Sequence, residues 1–401
     1  MLGEIEWLSR TTREDVTAPA ALTKEDELHW LALHLVPGLG MRKAGQLIER
    51  FRSPQAIFRA SREELEAHGL SGSVAQTVAS GCTFDDAIEQ QQKMLETGTA
   101  LVPISDPAYP ARLREIFDPP VVLFARGRIE LLQAITLGVV GTRRPTAYGT
   151  AAAERLATDL AQAGLAIASG MARGIDTTAH RAALEVGGDT IAVFGCGVDL
   201  VYPAENRKLA AEIAGKGLLL SEFPMGAPAY PQNFPIRNRI ISGMSVGILV
   251  VEGAQYSGSA ITARMALDQQ REVFAVPGNI TNKMSWGPNL LIKQGAKLVQ
   301  EWNDVLVELP ADVRRALIAK AQARLGVMSL DLKDSGELPP ELGTASRVVL
   351  GHLKPDIATH IDQLLASSDT LTSSEVTAAL FELELLGLAR QLPGRNFVKV
   401  W

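Results

Sequence analysis

The polar residues of this chain that could do chemistry fall in a few glycine-rich loops, and their types suit holding an anion better than making a bond. The first loop reads Gly141-Thr142-Arg143-Arg144-Pro145-Thr146. It offers a glycine for close backbone approach, a hydroxyl and two guanidiniums ahead of a helix start, a set that suits a phosphate. A structural turn with solvated arginines is the alternative. The second loop, Ser169-Gly170-Met171-Ala172-Arg173-Gly174-Ile175-Asp176, has two glycines whose amides can turn toward an anion. Asp176 and His180 follow four residues apart. They read as a helix cap and a structural histidine, with acid–base machinery as the other possibility. In the third loop, Cys196 lies between Gly195 and Gly197 with no second metal ligand nearby, which leaves a reactive thiol as its one chemical reading.

The most distinctive stretch is Phe234-Pro235-Ile236-Arg237-Asn238-Arg239. Two arginines and an amide lie within three residues, next to an aromatic ring. Arg237 and Arg239 could clamp successive phosphates while Phe234 stacks on a base, as single-stranded nucleic acid requires. Equally, the arginines could pair with internal carboxylates such as Glu222 or Glu252. Further on, Ser257-Gly258-Ser259 opens a helix, and Lys283 follows. Residues 231–300 carry seven Lys or Arg against three Asp or Glu, so this part is locally basic although the whole chain has net charge −6. That overall charge argues against coating nucleic acid through general positive charge.

The elements that must position these loops are legible in the apolar pattern. Runs at 134–141, 164–170, 190–195, 217–222, 246–252 and 272–278 alternate with segments of helical periodicity. Strands apolar on both faces with helices between them predict an α/β domain with a doubly wound, mainly parallel sheet over residues 100–308. Ligands of such sheets bind outside the carboxyl ends of the strands, where these loops lie. No G-x-G-x-x-G dinucleotide fingerprint is present.

The flanks read differently. Residues 1–22 form a polar tail. Residues 23–95 form a small helical domain with a Gly38-Leu39-Gly40 turn, similar to SAM or helix-hairpin-helix units, although a plain packing turn reads as well. Residues 309–345 are a polar, Pro- and Gly-containing linker, and 346–401 give a winged-helix-like unit with helix, turn, helix and two strands around Pro393-Gly394. Its second helix carries Glu375, Glu382 and Glu384, which suits protein docking better than a DNA groove. Two distant cysteines, Cys82 and Cys196, exclude a disulfide framework. No apolar run reaches about 18 residues, so no membrane insertion is expected. The N-terminus lacks a secretory pattern, and a cytoplasmic location is the expectation.

Seven motifs in order, VVGTRRPTAYG, SGMARGIDTTAH, GGDTIAVFGCGVDLVYPAEN, LLLSEFPMG, FPIRNRIISGMS, VVEGAQYSGSAITARMALDQQREVFAVPGN and GPNLLIKQGA, closely resemble the DNA-processing protein A family (DprA, also called Smf) over roughly residues 105–300. The resemblance implies a Rossmann-like core that binds single-stranded DNA during natural transformation, protects it from nucleases and loads the RecA recombinase. It also implies a homodimer through that core, no enzymatic activity and no cofactor. By motif, Arg143 and the stretch from Phe234 to Arg239 match the family's DNA contacts, and Gly170 and Gly174 match its second loop. The DNA-binding set expected is Gly141, Thr142, Arg143, Arg144, Gly170, Arg173, Gly174, Phe234, Arg237, Asn238, Arg239, Ser257, Gly258, Ser259 and Lys283. The alternative is a nucleotide-processing enzyme akin to phosphoribohydrolases of the lysine-decarboxylase-like group. Its P-G-G-x-G-T loop is only partly matched at Pro277-Gly278-Asn279, without the double glycine.

Overall fold

The six apolar runs become the six consecutive strands of a larger sheet. The computed structural model describes residues 22–317 and 342–400, apart from 256, 355, 356, 369, 387 and 393. The polar tail up to residue 21, residues 318–341 of the linker and Pro393 therefore lie outside the described residues. The chain divides into two compact units, one formed by residues up to Gln91 with Ser105–Pro107, the other by the remainder.

The first unit is helical. Thr23 caps the helix Lys24–His34, its hydroxyl accepting from the Asp26 amide at 3.1 Å. The helix Met41–Phe51 starts at Gly40 and turns Ala44, Leu47 and Ile48 inward. Leu31, Leu33 and Ile57 complete a fully buried centre.

The second unit holds a nine-stranded sheet. Its strands are β1 (Ala100–Pro103), β2 (Val122–Gly127), β3 (Thr136–Val140), β4 (Ala166–Ser169), β5 (Thr190–Val193), β6 (Leu218–Ser221), β7 (Gly247–Val250), β8 (Glu272–Ala275) and β9 (Lys297–Leu298). The order is β1-β2-β6-β5-β4-β3-β7-β8-β9. From β6 to β9 all neighbours run parallel, while β1 and β2 are antiparallel at one edge. The winding reverses between β3 and β7, which puts the switch point of the sheet there.

Strand residues alternate between two apolar layers, as the period of two requires. Leu137, Val139, Ile167, Leu249 and Phe274 pack beneath the helices Ala147–Gln162 and Ile175–Glu185. Ile191, Val193, Leu220, Ile248 and Val250 face Ile240, Ile241 and Met244 of the helix Asn233–Met244, with Ala263 and Ala266 of Gly258–Asp268. Strands β1, β2 and β9 escaped the sequence reading. Only a four-residue helix, Ala111–Arg114, lies between β1 and β2, and both residues of β9 are exposed.

Past the sheet, residues 311–317 are helical, and Leu309, Val313 and Leu317 are buried in the sheet's core. The segment from 309 to 317 is thus a packed element rather than linker. The winged-helix part has three helices, Thr344–His352, Ile361–Ser367 and Ser373–Leu385, and a small sheet of β10 (Thr359–His360), β11 (Ala389–Leu392) and β12 (Asn396–Lys399) in the order β10-β12-β11. Its first helix and β10 were not read from the sequence. The three glutamates of Ser373–Leu385 are used internally. Glu375 closes a capping box with Thr372, Glu382 accepts from the Ser346 hydroxyl, and Glu384 accepts from the Gln391 amide at 2.5 Å. No helix among the described residues is long and apolar enough to cross a membrane.

Phe274 is fully buried in a central strand. Phe274→Ala is expected to destabilise the chain by about 3–5 kcal/mol, read as a lower urea midpoint with an unchanged slope.

Candidate functional site

At the switch point the loop after β3 is built on the loop after β7. The Thr142 amide donates to the Glu252 carbonyl at 2.7 Å. The Glu252 carboxylate, buried at the end of β7, accepts from the Thr146 amide at 2.9 Å and the Thr146 hydroxyl at 2.6 Å. Thr146 in turn caps the helix Ala147–Gln162 through the Gly149 amide. Gly149 has no side chain because a Cβ there would lie 2.2 Å from Glu252 Oε2. Glu252 is therefore a brace for the first loop. Arg143 and Arg144 are left exposed on the outer side.

The second loop is locked from below. Asp176 accepts from the amides of Gly170 at 3.1 Å and Ala172 at 3.3 Å. The Gly170 amide thus turns inward to a carboxylate of its own helix, contrary to the expectation that it faces a ligand anion. Gly174 sits at φ +75°, and a Cβ there would fall 2.4 Å from the Thr142 carbonyl oxygen, so the first and second loops stack only with glycine at this position. Arg173 projects outward, exposed.

The Phe234–Arg239 stretch folds as the start of the helix Asn233–Met244, and this corrects the expectation of a double phosphate clamp. Arg237 is 4% exposed. Its guanidinium donates to the Gly170 carbonyl at 2.8 Å and to the Val193 carbonyl, joining the ends of β4 and β5. Burial lowers its pKa to about 10, against the attraction of Asp176. Asn238 accepts from Arg237 Nε at 3.3 Å. Arg239, two residues on and so on another side of the helix, is buried against Glu222 and lies 3.3 Å from Asp118. The internal-carboxylate alternative holds for Arg239 with Glu222, whereas Arg237 takes carbonyls instead. Burial raises Glu222 to about 7, with Arg239 opposing.

Phe234 stays half-buried at the surface. The Arg143 guanidinium lies over its ring at 5.6 Å, and the Tyr202 ring lies 5.4 Å away, tilted by 34°. Gly195 leaves room for it, since a Cβ there would meet Phe234 at 2.9 Å. Arg143, Arg173, Tyr202 and Phe234 line one shallow cleft whose floor is Gly170 and Arg237. Tyr202 was absent from the expected set. Its signal was an aromatic next to Pro203 just past the third strand-end loop.

The remaining expected residues do not join this cleft. Ser257 caps the helix Gly258–Asp268, and its hydroxyl bonds that of the buried Ser259 at 2.8 Å, so both hydroxyls serve the helix start, with Gly258 exposed beside them. Lys283 is exposed on the turn Lys283–Ser285 after β8, two strands beyond β3. His180 is fully buried, its Nδ1 2.7 Å from the Thr190 hydroxyl, which itself donates to the Ile167 carbonyl. That ring is a buried, hydrogen-bonded one, while Asp176 does not cap its helix as read: the N-cap is Gly174, and Asp176 takes the loop amides instead. Cys196 is buried with its thiol raised to about 11 by desolvation, the opposite of what a reactive thiolate needs.

Residues 100–310 match the family model described as DNA recombination-mediator protein A. The chain belongs to the DNA-processing protein A family. Residues 333–395 also match the DprA winged helix domain. Among relatives, DNA processing protein DprA of Bacillus subtilis is 46% identical over 216 residues, covering 54% of this chain and 73% of its own. Protein Smf of Synechocystis is 33% identical over 401 residues, covering 94% of this chain and 99% of its own. The X-ray structure of DprA from Streptococcus pneumoniae aligns with TM-score 0.59 at 35% identity, over 71% of this chain and 98% of that one. The cleft and its braces all lie within the stretch that matches the DprA core.

Burial depresses His180 to about 3, below its ordinary value near 6.5. A depressed histidine contributes stability that is present above pH 6.5 and lost as pH falls toward 3. The chain is expected to lose about 2 kcal/mol from this group between pH 6.5 and pH 5. His180→Gln removes that dependence, measured as the change in urea midpoint across the window.

Proposed function

We propose that this chain binds single-stranded DNA without chemistry, in the cleft formed by the loops after β3, β4 and β5 and the start of the helix Asn233–Met244. The observation that carries the reading is the stack of the exposed Arg143 guanidinium on Phe234, with Tyr202 beside it. Planar rings and guanidiniums give a sequence-tolerant platform for unstacked bases, and Arg143, Arg144 and Arg173 supply positive charge for successive phosphates. Gly141 and Thr142 support the first loop from behind, Gly141 against Ile175 and Thr142 through its amide, which donates to the Glu252 carbonyl, and its hydroxyl, which accepts from the Arg144 amide. Gly170, Gly174, Arg237, Asn238 and Arg239 act as scaffold beneath it, and Ser257, Gly258 and Ser259 shape the neighbouring helix start. Lys283 adds positive charge beyond the switch point. Duplex binds worse, because its bases are already stacked and cannot splay onto the rings.

Family membership extends the reading. The bound strand is protected from nucleases and handed to the RecA recombinase during natural transformation, in the cytoplasm. A homodimer through the Rossmann-like core lengthens the groove and raises avidity for longer strands. The nucleotide-processing enzyme is the weaker reading. Glu252, Asp176 and His180 each hold an internal partner, and Glu222 faces Arg239, which supports a structural role for these four groups over acid–base work.

The test is fluorescence anisotropy with a short labelled single strand, competed by matched duplex over a salt series. Arg143→Ala is expected to weaken binding and reduce the log–log salt slope by about 0.7. Phe234→Ala is expected to cost about 1–3 kcal/mol of binding with the slope unchanged. Native affinity and slope in a folded Arg143→Ala protein would overturn the site.

A further inference from the structure

Among the described residues, Arg173 is the cleft arginine already gripped by a carboxylate in fork geometry. Its Nε lies 2.6 Å from Glu205 Oε1 and its Nη2 2.8 Å from Glu205 Oε2. This is the two-point arrangement that a guanidinium makes equally well with a phosphate. Both side chains are more than half exposed, at 57% and 54%, so exchanging one anion for another leaves no charge buried and unpaired.

The bridge is also redundant as a structural staple. Glu205 belongs to the short turn Ala204–Asn206. The next residue, Asn206, is buried and donates from Nδ2 to the Met171 carbonyl and to the Thr177 hydroxyl, both at 2.9 Å. Those bonds fasten the turn to the second loop, and Asp176 holds the same loop from the other side. Removing the Glu205 charge leaves both anchors in place.

We infer that Glu205 is a built-in competitor for DNA phosphate, occupying the guanidinium fork of Arg173 until a backbone phosphate takes the same two donors. The inference rests on the single-strand reading above and adds an affinity-setting residue to it. The carboxylate sets the threshold that a strand must exceed, because a phosphate has to displace Glu205 before Arg173 changes partner.

The experiment is a double-mutant cycle on the full chain with a labelled oligothymidylate at fixed salt, the native protein serving as the internal standard. E205Q is expected to bind about two- to fivefold tighter, the range that an exposed ion pair commands, and E205A serves as a second variant with the same expectation. R173A is expected to bind more weakly than native, and E205Q is expected to add no gain in the R173A background. Equal or weaker binding by both folded Glu205 variants overturns the inference while the native chain's binding keeps the site reading intact. So does an equal gain with and without Arg173, which would mark a general loss of negative charge. A native chain that binds no single strand overturns both. Unchanged urea midpoints for the Glu205 variants support the redundancy of the bridge, and a large fall overturns it.

Discussion

The guanidinium of Arg237 sits out of water beneath the carboxyl ends of β4 and β5, where the carbonyls of Gly170 and Val193 and the nearby charge of Asp176 compensate its lost hydration. A buried charge must keep every such partner, since stranding one costs about 3–5 kcal/mol. The constraint fixes where the helix Asn233–Met244 begins relative to two strand ends. Phe234, three residues earlier, is thereby held at the surface within reach of Arg143 and Tyr202. Gly170 has no side chain for the same reason, since a Cβ would lie 2.6 Å from the guanidinium.

Around that charge the loops are braced by carboxylates rather than left to solvent. Asp176 gathers the amides of the second loop, Glu252 gathers the amide and hydroxyl of Thr146, and Glu222 faces Arg239. Asp176 and Glu252 satisfy polar groups that the turns leave unpaired, which is how an irregular backbone tolerates burial. The result is a rigid rim with a small number of outward side chains. Such preorganisation lowers the ordering cost when a long, pliable ligand binds.

The arginines of the edge therefore divide into two kinds. Arg237 and Arg239 are interior and hold elements together. Arg143, Arg144 and Arg173 are exposed and available for exchange with an outside anion. The division places charge on the rim without burying a net positive field beneath it, because the interior arginines are offset by Asp176, Glu222 and Asp118. Local basicity in an acidic chain is achieved by sorting charges between inside and outside.

The amino-acid sequence by itself determined the α/β architecture, the six central strands, the strand-end loops and the family. The first three follow from period and spacing, local properties that survive in a linear string, whereas the family came from the resemblance of seven ordered motifs. Strand β9 did not show because it is two exposed residues long, and β1 and β2 because only a four-residue helix separates them, although Val121 to Ala125 is itself an apolar run. Ordered motifs likewise located Arg143 and Phe234, which lie 91 residues apart in the chain and meet only in the fold. Which arginine faces water was decided by the tertiary structure alone. Arg237 and Arg239 read identically in a string, yet two residues along a helix is more than half a turn, and one side met strand-end carbonyls while the other met Glu222. The same holds for Tyr202 and for the Arg173–Glu205 pair, whose partners come from separate loops and become neighbours only when the parallel strands bring their carboxyl ends to one edge.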